Sequence, residues 1–345
     1  MKHMRYPFYI FTLIILWATA CTTLKNIFYD ESTNNLVKLE NSIIEELQNQ
    51  NYDIIKSITN DNSYYVKASI NNNNLSMILD TGAIYTLLKS KNINKYQLTH
   101  IDELEPILLK PAFSESIEFI PAKADSFKIG TITFNPWPFL LSNNLYSDGI
   151  LGCEFLHFTK SIIICNPGVL CISLNSKAAS KINDIINKDT SYKEIDLLMA
   201  QEDTYIKINQ QVGDTHKLLE SGLLMVPITV DEICGYALID TGASSSLLDL
   251  EKLQKNNLKG KIYSRFSKDA IGKKKRIYSK IFNKFLIDKY PVEDDFYLSF
   301  TLLKKRDLYI NNKSVAILGI IGLDILYKKN AIIDFGNRKL YLQIQ

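Results

Sequence analysis

Hydrophobic residues along the chain recur mostly at every second position, in short runs broken by turn residues. Val66, Ala68 and Ile70 alternate with polar neighbours, and Val226, Ile228 and Val230 repeat the pattern. Period-two alternation marks a strand with one buried face. Strands are expected over Tyr64–Ile70, Leu75–Leu79, Ile84–Leu88, Ile117–Ile120 and Phe127–Phe134, with a bend at Ile129-Gly130-Thr131. Asn71 to Asn74 reads as a hairpin turn. Asn135-Pro136-Trp137-Pro138 ends its run because proline cannot donate in a ladder. Ile150–Leu151 is a further strand, and apolar runs either side of Asn166-Pro167-Gly168 predict a hairpin over Ile162–Leu174. Helical spacing appears at Leu36, Leu39, Ile43, Ile44 and Leu47, predicting a short amphipathic helix within Leu36–Ile58 that packs on the body. Ser176–Asn187 reads as helical or loose, and Ile195–Met199 and Tyr205–Ile208 as strands. No ten-residue helix separates successive strands, so an alternating α/β architecture is excluded and an all-β, or mostly β, chain is expected.

The pattern occurs twice. Met77-Ile78-Leu79-Asp80-Thr81-Gly82-Ala83 returns as Ala237-Leu238-Ile239-Asp240-Thr241-Gly242-Ala243, at an offset of 160 residues. Asp148-Gly149-Ile150-Leu151-Gly152 pairs with Gly319-Ile320-Ile321-Gly322 at 170, as do Ile162 and Ile163 with Ile332 and Ile333. The second copy therefore carries about ten extra residues between its two motifs, and the chain reads as a duplicated fold of two lobes. An apolar strand ending in a carboxylate is costly unless the acid is paired, hydrogen-bonded or protonated. Two such strands with the same neighbours point to a paired site.

Asp-Thr-Gly followed later by a hydrophobic-hydrophobic-Gly segment, present twice, resembles the pepsin and retropepsin-like aspartic proteases, with the two copies similar to their two lobes. The resemblance covers roughly residues 62–174 and 222–345. It implies a bilobal fold with pseudo-two-fold symmetry, a short helix over Glu154–Phe158, and a bridging sheet to which strands of the 175–221 connector belong. It implies an aspartic endopeptidase in which Asp80 and Asp240 activate a water, supported by Thr81, Gly82, Ala83, Thr241, Gly242 and Ala243. Both threonines are expected to hydrogen-bond the opposite lobe. Ala83 and Ala243 stand where pepsin-type enzymes carry a hydroxyl that would favour the ionised carboxylate, so activity is expected at mildly acidic to near-neutral pH. Ile84 and Tyr85 replace the hydroxyl residues present at Ser244 and Ser245, making the lobes unequal around the site. A flap is expected in each lobe or in one; no Gly-rich flap is obvious, and Ile271-Gly272 and the stretch around Phe113–Ser116 are the candidates. The other readings are an inactive peptide-binding or structural envelope lipoprotein on the same fold, and an unrelated sandwich-type adhesin.

Residues 1–20 follow signal-peptide grammar, with Lys2 and Arg5, an apolar stretch from Tyr9 to Trp17, and Ala18-Thr19-Ala20 before Cys21. Small residues before a cysteine resemble the bacterial lipobox, although Ala18 stands where that pattern prefers Leu. A lipidated Cys21, an ordinary cleaved signal and a single N-terminal anchor all fit. The expected organisation is a signal peptide over 1–20, a lipidated tether and helix over 21–61, lobes at 62–174 and 222–345, and a connector at 175–221. The body is then exported and held at a bacterial envelope membrane, with a peptide or protein as substrate. Two lobes in one chain need no homodimer, so a monomer is expected. The formal charge of +3 falls to +1 without Lys2 and Arg5, which gives no nucleic-acid footprint. Lys273-Lys274-Lys275-Arg276 reads as a solvated loop. His3, His100, His157 and His216 are scattered and show no metal-ligand spacing, so neither metal nor cofactor is expected. Export leaves Cys165 and Cys171 open to two readings, a disulfide across their hairpin or two buried thiols.

Overall fold

The computed structural model describes residues 38–344 apart from 61, 103, 110, 112–114, 175–181, 203–221, 254–261, 270, 293–296, 302, 304–307 and 316. Cys21, the 1–37 segment, Phe113 and the expected strand Tyr205–Ile208 lie outside these residues.

Among the described residues the strands form three sheets, of eleven, twelve and six strands. The alternating runs Ser63–Ile70 and Asn73–Leu79 pair as an antiparallel hairpin, as do Leu223–Val230 and Ile233–Ile239. Each hairpin then receives a parallel strand from far along the chain. Ile150 and Leu151 lie beside Ile78 and Leu79, and Ile320 and Ile321 lie beside Leu238 and Ile239. Leu87–Lys89 runs antiparallel to Gly149–Leu151 and parallel to Trp137–Ser142, while Leu247–Asp249 does the same with Ile317–Ile321 and Tyr297–Thr301. The registers therefore repeat strand for strand, giving two β lobes of one topology.

The six-stranded sheet joins them. Ile162–Ile164 lies antiparallel to Ile332–Asp334, one from each copy, and the flanking places go to Val169–Ile172, Asp53–Lys56, Lys339–Gln343 and Tyr192–Asp196. One face, carrying Ile162, Ile164, Val169, Cys171, Ile332 and Tyr341, is covered by Ile43 and Leu47 of the helix over 38–49. The other, with Ile163, Leu170, Ile333 and Leu340, joins the main core. Burying leucine and isoleucine side chains at such a junction contributes about 1.5–3 kcal/mol each.

Several local expectations are corrected. The expected short helix spans 38–49, but the rest of its range is not loose: Asn51 takes a left-handed conformation (φ 61°), and the chain turns into Asp53–Lys56 and Ile58–Asn60, which pair in sheets. There Thr131 donates its hydroxyl to Asp53 Oδ2 at 2.9 Å, beside the bend at Gly130, whose φ of +58° suits a glycine. The expected strand Ile84–Leu88 begins only at Leu87, because the Ala83 and Ile84 carbonyls accept from the Cys153 and Glu154 amides at 2.8 and 2.9 Å. The run does end at Phe134, but a strand that was not expected, Trp137–Ser142, follows at once and pairs with Ile117–Ala124; its second partner starts opposite Leu140, so Pro138 needs no donor on that side. Lys274–Arg276 open the strand Lys274–Ile281 instead of forming a loop. Cys165 and Cys171 are both free and buried, and they face opposite sides of the bridging sheet, which rules out their pairing.

Candidate active site

Strand Asn73–Leu79 ends in Asp80 and strand Ile233–Ile239 ends in Asp240. Both backbones are held by the parallel strand beside them, with the Asp80 amide donating to the Leu151 carbonyl at 3.1 Å and the Asp240 amide to Ile321 at 2.9 Å. Each chain then turns tightly, which lets the Gly82 amide donate to Asp80 Oδ1 at 2.8 Å and the Gly242 amide to Asp240 Oδ1 at 2.9 Å. The Ala243 amide adds a third donor to Asp240 Oδ1 at 3.0 Å. Such bonds stabilise an ionised carboxylate as far as they reach it.

The two turns meet. A Cβ added to Gly82 would lie 2.5 and 2.7 Å from the oxygens of Asp240, and one added to Gly242 would lie 2.6 Å from both oxygens of Asp80. Gly82 therefore touches both acids, bonding its own and packing against the other, and Gly242 does the same in reverse. Beneath them Thr81 donates its hydroxyl to the Ile239 carbonyl at 2.7 Å, and Thr241 donates to Leu79 at 2.7 Å. Both hydroxyls also accept the partner threonine's amide, at 3.0 and 3.2 Å. Both threonines are buried, so these bonds form away from competing water.

The acids open into a cleft of about 600 Å³. Tyr85, Leu87, Phe119 and Ile150 line it from the first lobe, and Ser244, Ser245, Leu247 and Ile320 from the second. Over it reaches the hairpin Tyr263–Lys268/Lys274–Ile281, whose Phe266, Asp269 and Ile271 face the cleft. Its turn is tied by Asp269 Oδ1, which accepts the Lys273 amide at 2.9 Å, and a Cβ on Gly272 would lie 3.4 Å from the Tyr146 ring of the first lobe. Ile271, one of the two candidate flap positions, thus lines the cleft. In the first lobe the hairpin Ile107–Leu109/Ile117–Ala124 contributes Leu109 and Phe119.

Two buried ionisable groups were not foreseen. Glu154, on the helix Cys153–Phe158, accepts the Thr86 amide through Oε1, while Oε2 has no partner. Burial pushes its carboxyl up to about 7, against the lowering effect of the Thr86 bonds. Its counterpart Asp324 accepts the Ser246 amide and hydroxyl at 2.8 and 2.6 Å. The signal was the acid two places after the glycine in both Gly152-Cys153-Glu154 and Gly322-Leu323-Asp324. His157 contacts the Gly222 carbonyl at 2.9 Å, and burial, aided by the Arg338 charge, brings it down to about 4 despite that bond. Among the described residues no group of three or more His, Cys, Asp or Glu could hold a metal ion.

Residues 66–157 match the family model described as "gag-polyprotein putative aspartyl protease". A crystal structure of a retropepsin-like aspartic protease from Rickettsia conorii is similar at 22% identity, over 35% of this chain and 90% of that one, with a TM-score of 0.29. Comparison with curated proteins gave no match.

Proposed function

We propose, for a chain whose residues 66–157 match the family model of a gag-polyprotein putative aspartyl protease, that it is an aspartic endopeptidase with Asp80 and Asp240 as its catalytic pair. The observation that carries this reading is the reciprocal packing of each carboxylate on the opposite lobe's glycine. Two carboxyl groups so close do not both ionise cheaply, so the pair retains one proton and titrates as a unit. The ionised member takes a proton from a water, which attacks the peptide carbonyl carbon as the protonated member donates to the carbonyl oxygen. Breakdown of the tetrahedral adduct passes a proton to the leaving nitrogen and restores the pair, without a covalent enzyme intermediate. The Thr81 and Thr241 bonds hold the two acids in place for this exchange.

Both acids come from one chain, which supports a monomer as the working unit. The reading extends to an exported protein anchored through lipid on Cys21, on the strength of residues 1–21 of the sequence. No helix among the described residues is long and apolar enough to cross a membrane.

The test is to incubate the protein with a diverse peptide mixture, with and without pepstatin, across pH, beside Asp80→Asn and Asp240→Asn. Either amide keeps an oxygen for its glycine amide but cannot serve the proton exchange, so cleavage should fall about 10²–10⁴-fold or more with folding intact. Cleavage unaffected by both substitutions would remove the assignment, and specific peptide retention without any cutting would leave a binding protein on this fold.

A further inference from the structure

The floor of the cleft is built from equivalent positions in the two halves, and next to the acids the halves differ at one pair of positions. Ile78, Leu87 and Ile150 have the apolar counterparts Leu238, Leu247 and Ile320, all on the cleft. Just past the turns the match breaks for two residues, Ile84 and Tyr85 in the first lobe against Ser244 and Ser245 in the second, and then resumes.

The backbones at these positions are the same. The Tyr85 carbonyl packs on Gly152 and that of Ser245 on Gly322, so closely that a Cβ on either glycine would strike it. The next residue repeats as well: the Gly152 amide donates to the Thr86 hydroxyl at 3.2 Å, and the Gly322 amide to the Ser246 hydroxyl at 2.9 Å. Tyr85 and Ser245 therefore start from equivalent points on the two walls and differ in what they place there. Ile84 and Tyr85 are 3% and 5% exposed, whereas Ser244 is exposed and Ser245 half-buried.

Resting on the proposed proteolytic reading, we infer that Tyr85 and Ser245 are specificity-determining residues that give the cleft unequal halves. The first-lobe wall is filled by a phenol and a sec-butyl group, and takes a small apolar substrate side chain. The second-lobe wall ends in two hydroxymethyl groups, and takes a bulkier side chain or one able to hydrogen-bond. The substrates are extended peptides with side chains of unequal size on the two sides of the cut bond, in one preferred direction.

Cleavage-site mapping of a diverse peptide library tests this with the wild type, Ser245→Tyr and Tyr85→Ser, each confirmed as folded by its melting transition. The wild type should show a bulky or polar preference on one side of the cut. Ser245→Tyr should lower the bulky-to-small ratio in kcat/KM on that side by tenfold or more, within the range shape selection gives. Tyr85→Ser should raise the same ratio on the other side. A wild-type profile symmetric about the cut, or variants that change both sides equally, would overturn the inference. Failure of the proteolytic reading is distinguishable: if the wild type cuts nothing, peptides retained by the folded proteins are compared instead. Loss of bulky peptides with Ser245→Tyr then upholds the unequal cleft, and unchanged retention refutes it.

Discussion

Thr81 and Thr241 exchange bonds across the lobe junction, each hydroxyl accepting the other residue's amide while donating to a carbonyl of the opposite strand. Thr81→Val keeps the shape but leaves the Ile239 carbonyl and the Thr241 amide without that partner. A buried backbone group left unpaired costs about 1–3 kcal/mol, so each valine variant should lose that much for each orphaned group. Because both residues serve one junction, the double variant should depart from additivity by at least about 0.5 kcal/mol. Urea unfolding of the two single variants and the double variant measures this. Strict additivity with small losses would mean that the two sets of bonds act separately.

Gly82 and Gly242 should be sensitive too, although less so than the acids. A methyl group at either position would lie within 2.7 Å of the opposing carboxylate oxygens, so that carboxylate must move. Displacement near 1 Å at a reacting centre costs on the order of a hundredfold in rate. Gly82→Ala and Gly242→Ala are both expected to reduce kcat/KM by that order. Peptide-cleavage assays that find either variant near wild-type activity would contradict the close approach of the two turns.

The paired acids were legible in the sequence because duplication repeats a local motif, and a strand-turn motif needs only neighbouring residues to be recognised. The repeated registers followed for the same reason. Glu154 left a trace, the acid two places after the glycine that Asp324 repeats, but its burial depends on packing that the pattern does not show, and His157 escaped notice because a single buried ionisable residue leaves no periodic trace. Trp137–Ser142 was hidden by Pro138, whose tolerance depends on which ladder side is empty. The placement of Cys165 and Cys171 on opposite faces is set by hairpin register, which the Asn-Pro-Gly turn signal does not specify.

Glu154 and His157 sit on one helix and should have opposing effects on stability. Glu154 titrates near 4.5 when unfolded and about 7 when folded, so its stabilising effect is complete below 4.5 and is lost as pH rises through 7. His157 goes from 6.5 to about 4, so its effect is complete above 6.5 and is lost as pH falls through 4. Each shift corresponds to roughly 3 kcal/mol, and over pH 4.5–6.5 the slopes nearly cancel. Glu154→Gln should expose the histidine slope, so that stability rises by roughly 3 kcal/mol between pH 4 and 6.5 relative to the wild-type curve. Unfolding curves that stay parallel across this range would show that Glu154 does not titrate as its burial implies.

Thiol accessibility should divide the described cysteines cleanly. Cys234 is exposed on strand Ile233–Ile239, whereas Cys153, Cys165 and Cys171 are buried. Burial raises the Cys165 thiol well above its ordinary range and Cys171 up to about 12, so neither supplies thiolate in the folded state. The Cys153 thiol donates to the Thr81 carbonyl at 3.1 Å, beneath the paired acids. In a Cys21→Ser variant, native maleimide labelling followed by mass spectrometry should therefore add one group, at Cys234, and labelling in denaturant should add four. Reductant should leave both counts and the melting temperature unchanged. A rise in the denatured count after reduction would reveal a disulfide and contradict the opposite-face placement of Cys165 and Cys171.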